Sequence, residues 1–179
     1  MELVVLLAET GEPIGTARKY DVHTDSTPLH LAFSCWLFDD DGRVLLTRRA
    51  LSKLTWPGVW TNSFCGHPAP DEAPEEAITR RAATELGIDP AELAVLEVVA
   101  PDFRYRAADS SGVVENEICP VYVARLQPGA RLSPNPDEVD SYAWVTPGAL
   151  LTAAEATPFA FSPWMIAELN EPGLRARLA

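Results

Sequence analysis

Basic residues, and lysines above all, are scarce in this chain. Its 179 residues include 14 lysines and arginines against 26 aspartates and glutamates, which gives a net charge of −12. Only two of the basic residues are lysines, Lys19 and Lys53. An acidic surface repels nucleic acid and anionic membranes, so we expect neither as a partner. A phosphorylated ligand is compatible with this charge only where the basic residues concentrate locally.

Long apolar runs and an even set of cysteines are also missing. The apolar stretch Leu3–Ala8 is far too short to span a bilayer. It also lacks the positively charged start of a signal peptide, because the first basic residue is Arg18. The three cysteines, Cys35, Cys65 and Cys119, are an odd number, and we interpret them as reduced thiols. We therefore expect a cytoplasmic protein, and we take it to be a monomer.

The hydrophobic pattern predicts an α/β (α+β) fold in which a mixed β-sheet packs between helices. Strands interleave with a few helices without strict alternation, and no linker divides residues 1–179, so we expect a single domain. The long predicted helix has proline near its first position and Gly87 after its last, which are typical helix boundaries. The predicted strands are Leu3–Leu7, Leu29–Phe38, Val44–Thr47, Val95–Val99, Phe103–Arg106, Val113–Arg125 and Ser141–Val145, and the predicted helices are Glu75–Leu86, Gly148–Ala154 and Ser162–Leu169.

Two carboxylates lie two residues apart in one predicted strand. Glu115 and Glu117 therefore point to the same face of the strand, and Cys119 follows them on that face. Two carboxylates beside apolar neighbours repel each other and are costly to desolvate without a cation. Their partner is expected to be an arginine or a metal, unless both simply reach solvent at the end of the strand.

The chain has only three histidines, and all of them lie in its first 67 residues. Together with Glu115 and Glu117, His23, His30 and His67 would supply five ligands to one metal. Imidazole and carboxylate suit manganese, zinc or iron(II), and the hard oxygens also leave magnesium open. The spacing of the histidines is a weak signal, since no two of them stand at a helical or strand interval.

The segment from Gly66 to Ile88 resembles the Nudix box. Gly66 is followed after five residues by Glu72 and after seven more by Arg80, and the segment then continues to Gly87 and Ile88. Two positions depart from the box, which has glutamates where Arg81 and Thr84 stand. Those glutamates bind the magnesium ions of Nudix hydrolases, so the departures argue against a hydrolytic metal cluster. Glu85 remains and could hold one magnesium ion.

Seen over nearly its whole length, from about residue 3 to 169, the chain resembles the type I isopentenyl diphosphate isomerases, a non-hydrolytic branch of the Nudix superfamily. Many ordered motifs with rare residues carry this resemblance. The matching stretches are His23-Thr24, Leu29 to Ser34, Thr47 to Lys53, Trp56 to Ser63, Cys65 to Pro68, Pro101 to Ala107, Glu115 to Glu117 and Phe161 to Met165.

The resemblance implies a Nudix-type domain with two metal sites and one basic pocket. It implies that one divalent metal (manganese, zinc or magnesium) is bound by His23, His30, His67, Glu115 and Glu117. Glu85 and the backbone carbonyl of Cys65 would contact a magnesium ion that arrives with the substrate diphosphate. The residues that would bind the diphosphate itself are Lys19, Arg49, Lys53 and Arg81. This set contains both lysines of the chain and explains how an acidic protein can bind an anion.

The activity implied is the interconversion of isopentenyl and dimethylallyl diphosphate in isoprenoid precursor biosynthesis. One proton is added to an unactivated alkene and another is removed from a neighbouring carbon, through a tertiary carbocation. Such a site needs an acid and a base on opposite faces, and a dry pocket. Cys65 and Glu117 would fill these posts, Tyr105 would pass protons to or from Glu117, and Trp164 would present its π face to the cation. We favour the Glu117–Tyr105 side for protonation. The alternatives are a Nudix diphosphohydrolase and a non-catalytic diphosphate-binding domain.

Overall fold

The computed structural model describes residues 2–179 and contains twelve strands and five α-helices within that range. The strands are β1 (Leu3–Leu7), β2 (Pro13–Arg18), β3 (His30–Leu31), β4 (Phe33–Phe38), β5 (Val44–Arg49), β6 (Trp60–Thr61), β7 (Phe64–Gly66), β8 (Leu93–Ala100), β9 (Arg104–Ala108), β10 (Val114–Ile118), β11 (Val121–Leu126) and β12 (Val139–Val145). The helices are α1 (Lys19–Val22), α2 (Pro74–Leu86), α3 (Pro147–Ala156), α4 (Pro163–Glu168) and α5 (Pro172–Arg177).

The strands form two mixed sheets. The first has the order β2-β1-β3-β10-β9, and the second has the order β12-β5-β4-β11-β8, with β6 paired to β5 and β7 to β4. The contacts of β3 with β10 and of β4 with β11 are parallel, and the remaining pairings are antiparallel. The mixed α/β fold class is therefore confirmed, although the β-structure is divided between two sheets.

The division explains why two predicted strands are each split. The prediction of Leu29–Phe38 and Val113–Arg125 as unbroken strands is wrong. Each segment leaves the first sheet and enters the second, one between Leu31 and Phe33 and the other between Ile118 and Val121. The backbone N–H of Ala32 donates to Ile118 O at 2.9 Å, and that of Ser34 donates to Pro120 O at 3.0 Å. Pro120 has no N–H to continue a ladder, so the two neighbouring strands bend there together.

Helices cover both faces of the second sheet. On one face α2 packs Ile78, Ala82 and Leu86 against a core cluster that contains Phe33. On the other face lie side chains from α3, α4 and α5, including Met165. This arrangement accounts for β4, whose six residues are all buried. Two-sided cover is the environment that its continuous apolar run predicts.

The ends of the helices follow the sequence in most places. Helix α2 begins at Pro74 and ends before Gly87, whose φ of 65° is the left-handed conformation expected of a capping glycine. Helix α5 was not predicted, and neither was the short α1. In α5 a side chain at Gly173 would collide with the carbonyl oxygen of Val99, so only glycine lets this helix pack against β8. Among residues 2–179, no helix combines the length and the apolar character needed to cross a membrane.

Candidate active site

The three histidines meet at one end of the first sheet. His23 follows α1, His30 lies in β3 and His67 follows β7. Their ring centroids are separated by 5.1 to 5.8 Å. The carbonyl of His67 accepts a hydrogen bond of 3.1 Å from the Arg80 guanidinium, so α2 fixes the backbone that carries this imidazole. The three rings therefore face a common centre, although His67 is distant in sequence from the other two.

Strand β10 brings both predicted carboxylates to this centre. Glu117 is the Cα partner of His30 in the parallel pairing of β10 with β3. Its Oε1 lies 3.1 Å from His67 Nε2 and 3.3 Å from His30 Nε2. Glu115 Oε2 lies 2.9 Å from His23 Nε2, and Glu115 Oε1 accepts a hydrogen bond of 2.8 Å from Thr55 Oγ1. The alternative in which the two glutamates reach solvent is wrong, since both are buried.

The residues present fit a divalent metal. His23, His30, His67 and Glu117 each offer a ligand atom within 4.8 Å of the others. Two nitrogen ligands of one tetrahedral zinc ion stand about 3.4 Å apart, so small side-chain shifts would bring these four atoms to coordination distance. His23 Nε2, His30 Nε2, His67 Nδ1 and Glu115 Oε2 are buried without a hydrogen-bond partner among residues 2–179. Buried polar atoms without partners are costly, and a bound cation removes that cost.

The electrostatics of the cluster centre on Glu117. Burial works to raise its pKa, but the two imidazoles outweigh burial and hold the pKa well below the usual range of a carboxyl group. Burial works to lower the pKa of His30, yet the carboxylate of Glu117, 3.3 Å from its Nε2, leaves the pKa raised. For His67 burial prevails, and the pKa of the ring is lowered. Glu117 is thus an ionised group in a buried place.

Tyr105 and Cys65 line one cavity together with Glu117. Tyr105 Oη donates to Glu117 Oε2 at 2.9 Å, so the two oxygens of Glu117 have different partners. Burial, followed by the charge of Glu117, raises the pKa of Tyr105 well above its ordinary value. Cys65 lies in β7, and burial together with the charge of Glu168 raises the pKa of its thiol. The phenolic hydrogen of Tyr105 and the thiol hydrogen of Cys65 are therefore both strongly held.

Trp164 is buried at the start of α4 and forms part of the same cavity wall. Its ring lies 5.3 Å from that of Trp56 in a T-shaped arrangement and 5.7 Å from that of Tyr105. The Cζ atom of Arg49 lies 5.5 Å from the Trp164 ring centroid. A cation at this distance from an aromatic ring is attracted by the π electrons. The ring is thus already placed to contact positive charge.

Four basic residues line one cavity of about 830 Å³ together with the groups above. They are the four predicted diphosphate residues, Lys19, Arg49, Lys53 and Arg81. Most of them are paired with carboxylates of the chain. Lys19 Nζ lies 3.0 Å from Glu2 Oε1, Lys53 contacts Glu138, and Arg81 contacts both Glu85 and Glu138. The one exception among the four is Arg49, which donates to the carbonyl and hydroxyl oxygens of Thr55.

The concentration of positive charge at this end of the cavity favours an anion. Burial and the neighbouring Arg81 lower the pKa of Lys19, although Glu2 partly offsets them. Burial works to raise the pKa of Glu138, but Lys53 and Arg81 outweigh it and leave the pKa lowered. The basic side chains stabilise the charged form of the Glu138 carboxylate, and they would stabilise the negative oxygens of a diphosphate in the same way.

The box residues of α2 divide into structural and cavity-facing positions. Arg80 donates to both oxygens of Glu72 at 2.7 Å, which ties the helix to the loop before it. Arg81 and Glu85 are buried and line the cavity. Thr84 is exposed and its hydroxyl donates to Arg80 O. Glu85 is therefore the one carboxylate that the box helix itself, Pro74–Leu86, contributes to the cavity.

Several polar residues of the site are not singled out by any motif or pattern in the sequence. Asn62 bonds to both Trp164 and Cys65, Thr55 bonds to Glu115, and Glu138 bonds to the basic residues. Thr55 and Asn62 lie in or beside the recognised stretch Trp56 to Ser63, and that was their only signal. Glu138 lies in the loop before β12, where the sequence offers no pattern that assigns it to the site.

Comparison with known proteins identifies the fold and the family. A sequence profile described as the NUDIX domain matches residues 28–165. Among solved structures, a protein from Deinococcus radiodurans aligns with a TM-score of 0.64 at 23% identity, covering 87% of this chain and 90% of that one. A MutT protein from Methanosarcina mazei aligns with a TM-score of 0.62 at 20% identity, covering 85% and 97% of the two chains. The fold and the helix that carries Glu85 therefore define a NUDIX-class protein.

Two curated relatives narrow the class further. The isopentenyl-diphosphate Delta-isomerase of Leifsonia xyli is 62% identical over 168 residues, which cover 94% of this chain and 89% of the relative. That of Corynebacterium efficiens is 57% identical over 174 residues, which cover 97% and 92% of the two chains. The chain belongs to the family of isopentenyl-diphosphate Delta-isomerases, and the resemblance drawn from its motifs is confirmed.

Proposed function

We propose that this chain interconverts isopentenyl and dimethylallyl diphosphate with Cys65 and Glu117 as its two proton-carrying groups. The observation that supports the proposal is that a thiol, a buried carboxylate and the four basic residues line a single cavity. The basic end would bind the diphosphate through Lys19, Arg49, Lys53 and Arg81. The carbon skeleton would then lie between Cys65 and the Glu117–Tyr105 pair.

The proton transfer follows from the chemistry of the alkene. The Glu117–Tyr105 side supplies a proton, and the π electrons form a new C–H bond at the terminal methylene, which leaves a tertiary cation. The electrons of a C–H bond one carbon closer to the diphosphate then form the new double bond. That proton passes to the Cys65 sulfur, which accepts it as a thiolate because its own hydrogen has first moved to the Glu117 side. In the opposite direction Cys65 supplies the proton and the Glu117 side receives one.

The walls of the cavity protect the cation. Trp164 faces it with a ring that already lies 5.5 Å from a guanidinium carbon. Apolar side chains from the core behind Trp164 keep water away from a centre that water would quench. The rings of Trp56 and Tyr105 hold the indole in place through edge and tilted contacts.

Two metal sites are part of the proposal. His23, His30, His67, Glu115 and Glu117 would hold one divalent ion, and manganese, zinc and magnesium all suit this set of donors. When bound, the ion supplies positive charge that keeps Glu117 fixed and offsets the repulsion between the two carboxylates. Glu85, with the Cys65 carbonyl, would contact magnesium that accompanies the diphosphate.

Proton NMR of isopentenyl diphosphate with the purified protein, magnesium and manganese tests this function. We expect the signals of dimethylallyl diphosphate to appear and inorganic phosphate to stay absent. Released phosphate would instead establish a diphosphohydrolase. Tight binding of the substrate without turnover would establish a non-catalytic diphosphate-binding domain. The variant Glu117→Gln serves as the negative control.

A further inference from the structure

We propose that Asn62 is a positioning residue that holds the Cys65 sulfur and the Trp164 indole at the cavity wall. Ser34 and Glu168 in turn fix the amide of Asn62. The inference rests on the proposed function, because the sulfur and the indole are the groups assigned there to proton transfer and to contact with the cation.

The amide of Asn62 has one possible orientation. Its Oδ1 lies 3.1 Å from Trp164 Nε1, and an indole nitrogen only donates hydrogen bonds, so the oxygen must face it. The hydroxyl of Thr61 donates to the same oxygen at 2.8 Å. Asn62 has no exposed surface. A single buried amide therefore fixes the indole by its polar end.

The nitrogen of the amide completes the arrangement. Asn62 Nδ2 donates to Ser34 Oγ at 2.8 Å and to Phe64 O at 3.2 Å. Ser34 Oγ donates to Glu168 Oε2 at 2.9 Å, and Glu168 Oε2 also accepts a hydrogen bond of 2.7 Å from Trp36. Ser34 and Glu168 are fully buried as well. A line of hydrogen bonds thus runs from the core to the amide.

Both ends of the amide also reach the Cys65 sulfur. Its Sγ lies 3.4 Å from Asn62 Nδ2 and 3.5 Å from Asn62 Oδ1. One side chain therefore sets the positions of two groups that must act on the same small substrate. A displacement of about 1 Å in a reacting group can cost on the order of 10²-fold in rate. The effect of losing Asn62 should then appear in kcat.

The test compares three variants of the complete protein. Asn62→Leu keeps the branched shape of the side chain and removes every hydrogen bond of the amide. Ser34→Ala removes the acceptor that anchors Nδ2. Ser63→Ala is the matched control, since this buried hydroxyl accepts from Leu37 N and donates to Leu45 O, both at 2.7 Å, and bonds to neither Cys65 nor Trp164. For each variant kcat and KM for isopentenyl diphosphate, bound metal and melting temperature are measured.

We expect Asn62→Leu to lower kcat about 10- to 100-fold while KM stays within about threefold, because the amide bonds to none of the diphosphate residues. Metal content should not change. Ser34→Ala should fall at least about threefold below Ser63→Ala in kcat, whatever their melting temperatures. A merely structural role would lower the melting temperatures of both serine variants without separating their kcat values.

A folded Asn62→Leu variant with kcat within about twofold of the wild type would overturn the proposal. If that variant does not fold, the two serine variants decide, and equal kcat values for them would overturn it. Absence of turnover by the wild type and by Ser63→Ala alike would refute the proposed function itself, and the positioning role with it.

Discussion

Replacing the buried Glu168 by glutamine should stabilise the protein, and increasingly so as the pH rises. Glu168 is fully buried, and its Oε1 has no hydrogen-bond partner among residues 2–179. Burial raises the pKa of this carboxyl to about 8, although hydrogen bonds from Ser34 and Trp36 act in the opposite direction. The negative charges of Glu117 and Glu171 raise the pKa further.

The raised pKa fixes the sign and the size of the effect. Between the ordinary carboxyl pKa of 4.5 and about 8, the folded protein keeps a proton that the unfolded chain has released. The free energy of unfolding contributed by Glu168 is therefore complete below the lower value and is lost as the pH rises through the upper one. At about 1.4 kcal/mol for each pH unit, the loss is about 3–5 kcal/mol. Glutamine carries no charge and avoids this loss.

Urea unfolding at about pH 5 and about pH 8.5 measures the difference between the wild type and Glu168→Gln. We expect the two proteins to differ little at the lower pH. At the higher pH the variant should be more stable by about 3–5 kcal/mol. Glu155→Gln, which removes an exposed carboxylate from α3, is the control and should show the same small difference at both pH values. An equally constant difference for Glu168→Gln would refute the reasoning.

Three further predictions concern the site. Cys65→Ala and Glu117→Gln should each lower isomerisation by roughly 10²–10⁴-fold while substrate binding persists, and a rate above about a tenth of wild type would remove that residue from its role. Trp164→Leu should lower kcat by about 30-fold with little change in KM, because a desolvated cation–π contact contributes roughly 2 kcal/mol. Trp164→Phe should lose only part of this. A lower melting temperature with kcat preserved would show that Trp164 is only a core residue. Metal analysis after gel filtration should find about one divalent transition metal per chain, and unchanged content in His67→Ala would count against the site.

Local pattern predicted those elements whose signals are local. Helix α2 has proline at its start, an apolar stripe and Gly87 at its end, and the structure matches each of these. The turn after β4 was recognisable from three aspartates and Gly42. The break at Pro120 also has a sequence signal, since proline cannot donate within a ladder. The matching bend at Ala32 has no signal in the sequence, because it depends on the neighbouring strand that bends at Pro120.

The candidate site depends on contacts between distant parts of the chain. The three histidines have no regular spacing, so their scarcity and the family resemblance, rather than any periodicity, group them with the glutamates. Asn62 bonds to Trp164 across 102 positions of sequence, and Ser34 bonds to Glu168 across 134. Periodicity reports on neighbours within a few residues and cannot reveal such pairs. Helix α5 is not predicted for another reason. Gly173 weakens the helical pattern, and the need for glycine there is apparent only from its contact with β8.

The pairing of β3 with β10 is only two residues long, and it joins His30 to Glu117 and Leu31 to Ile118. A slip of one residue would turn the Glu117 side chain to the opposite face of the strand. The same slip would withdraw the carboxylate from His67 and from Tyr105 at once. A mutation that loosens this short ladder would therefore disturb both the alignment of the two strands and the placement of Glu117 in the site.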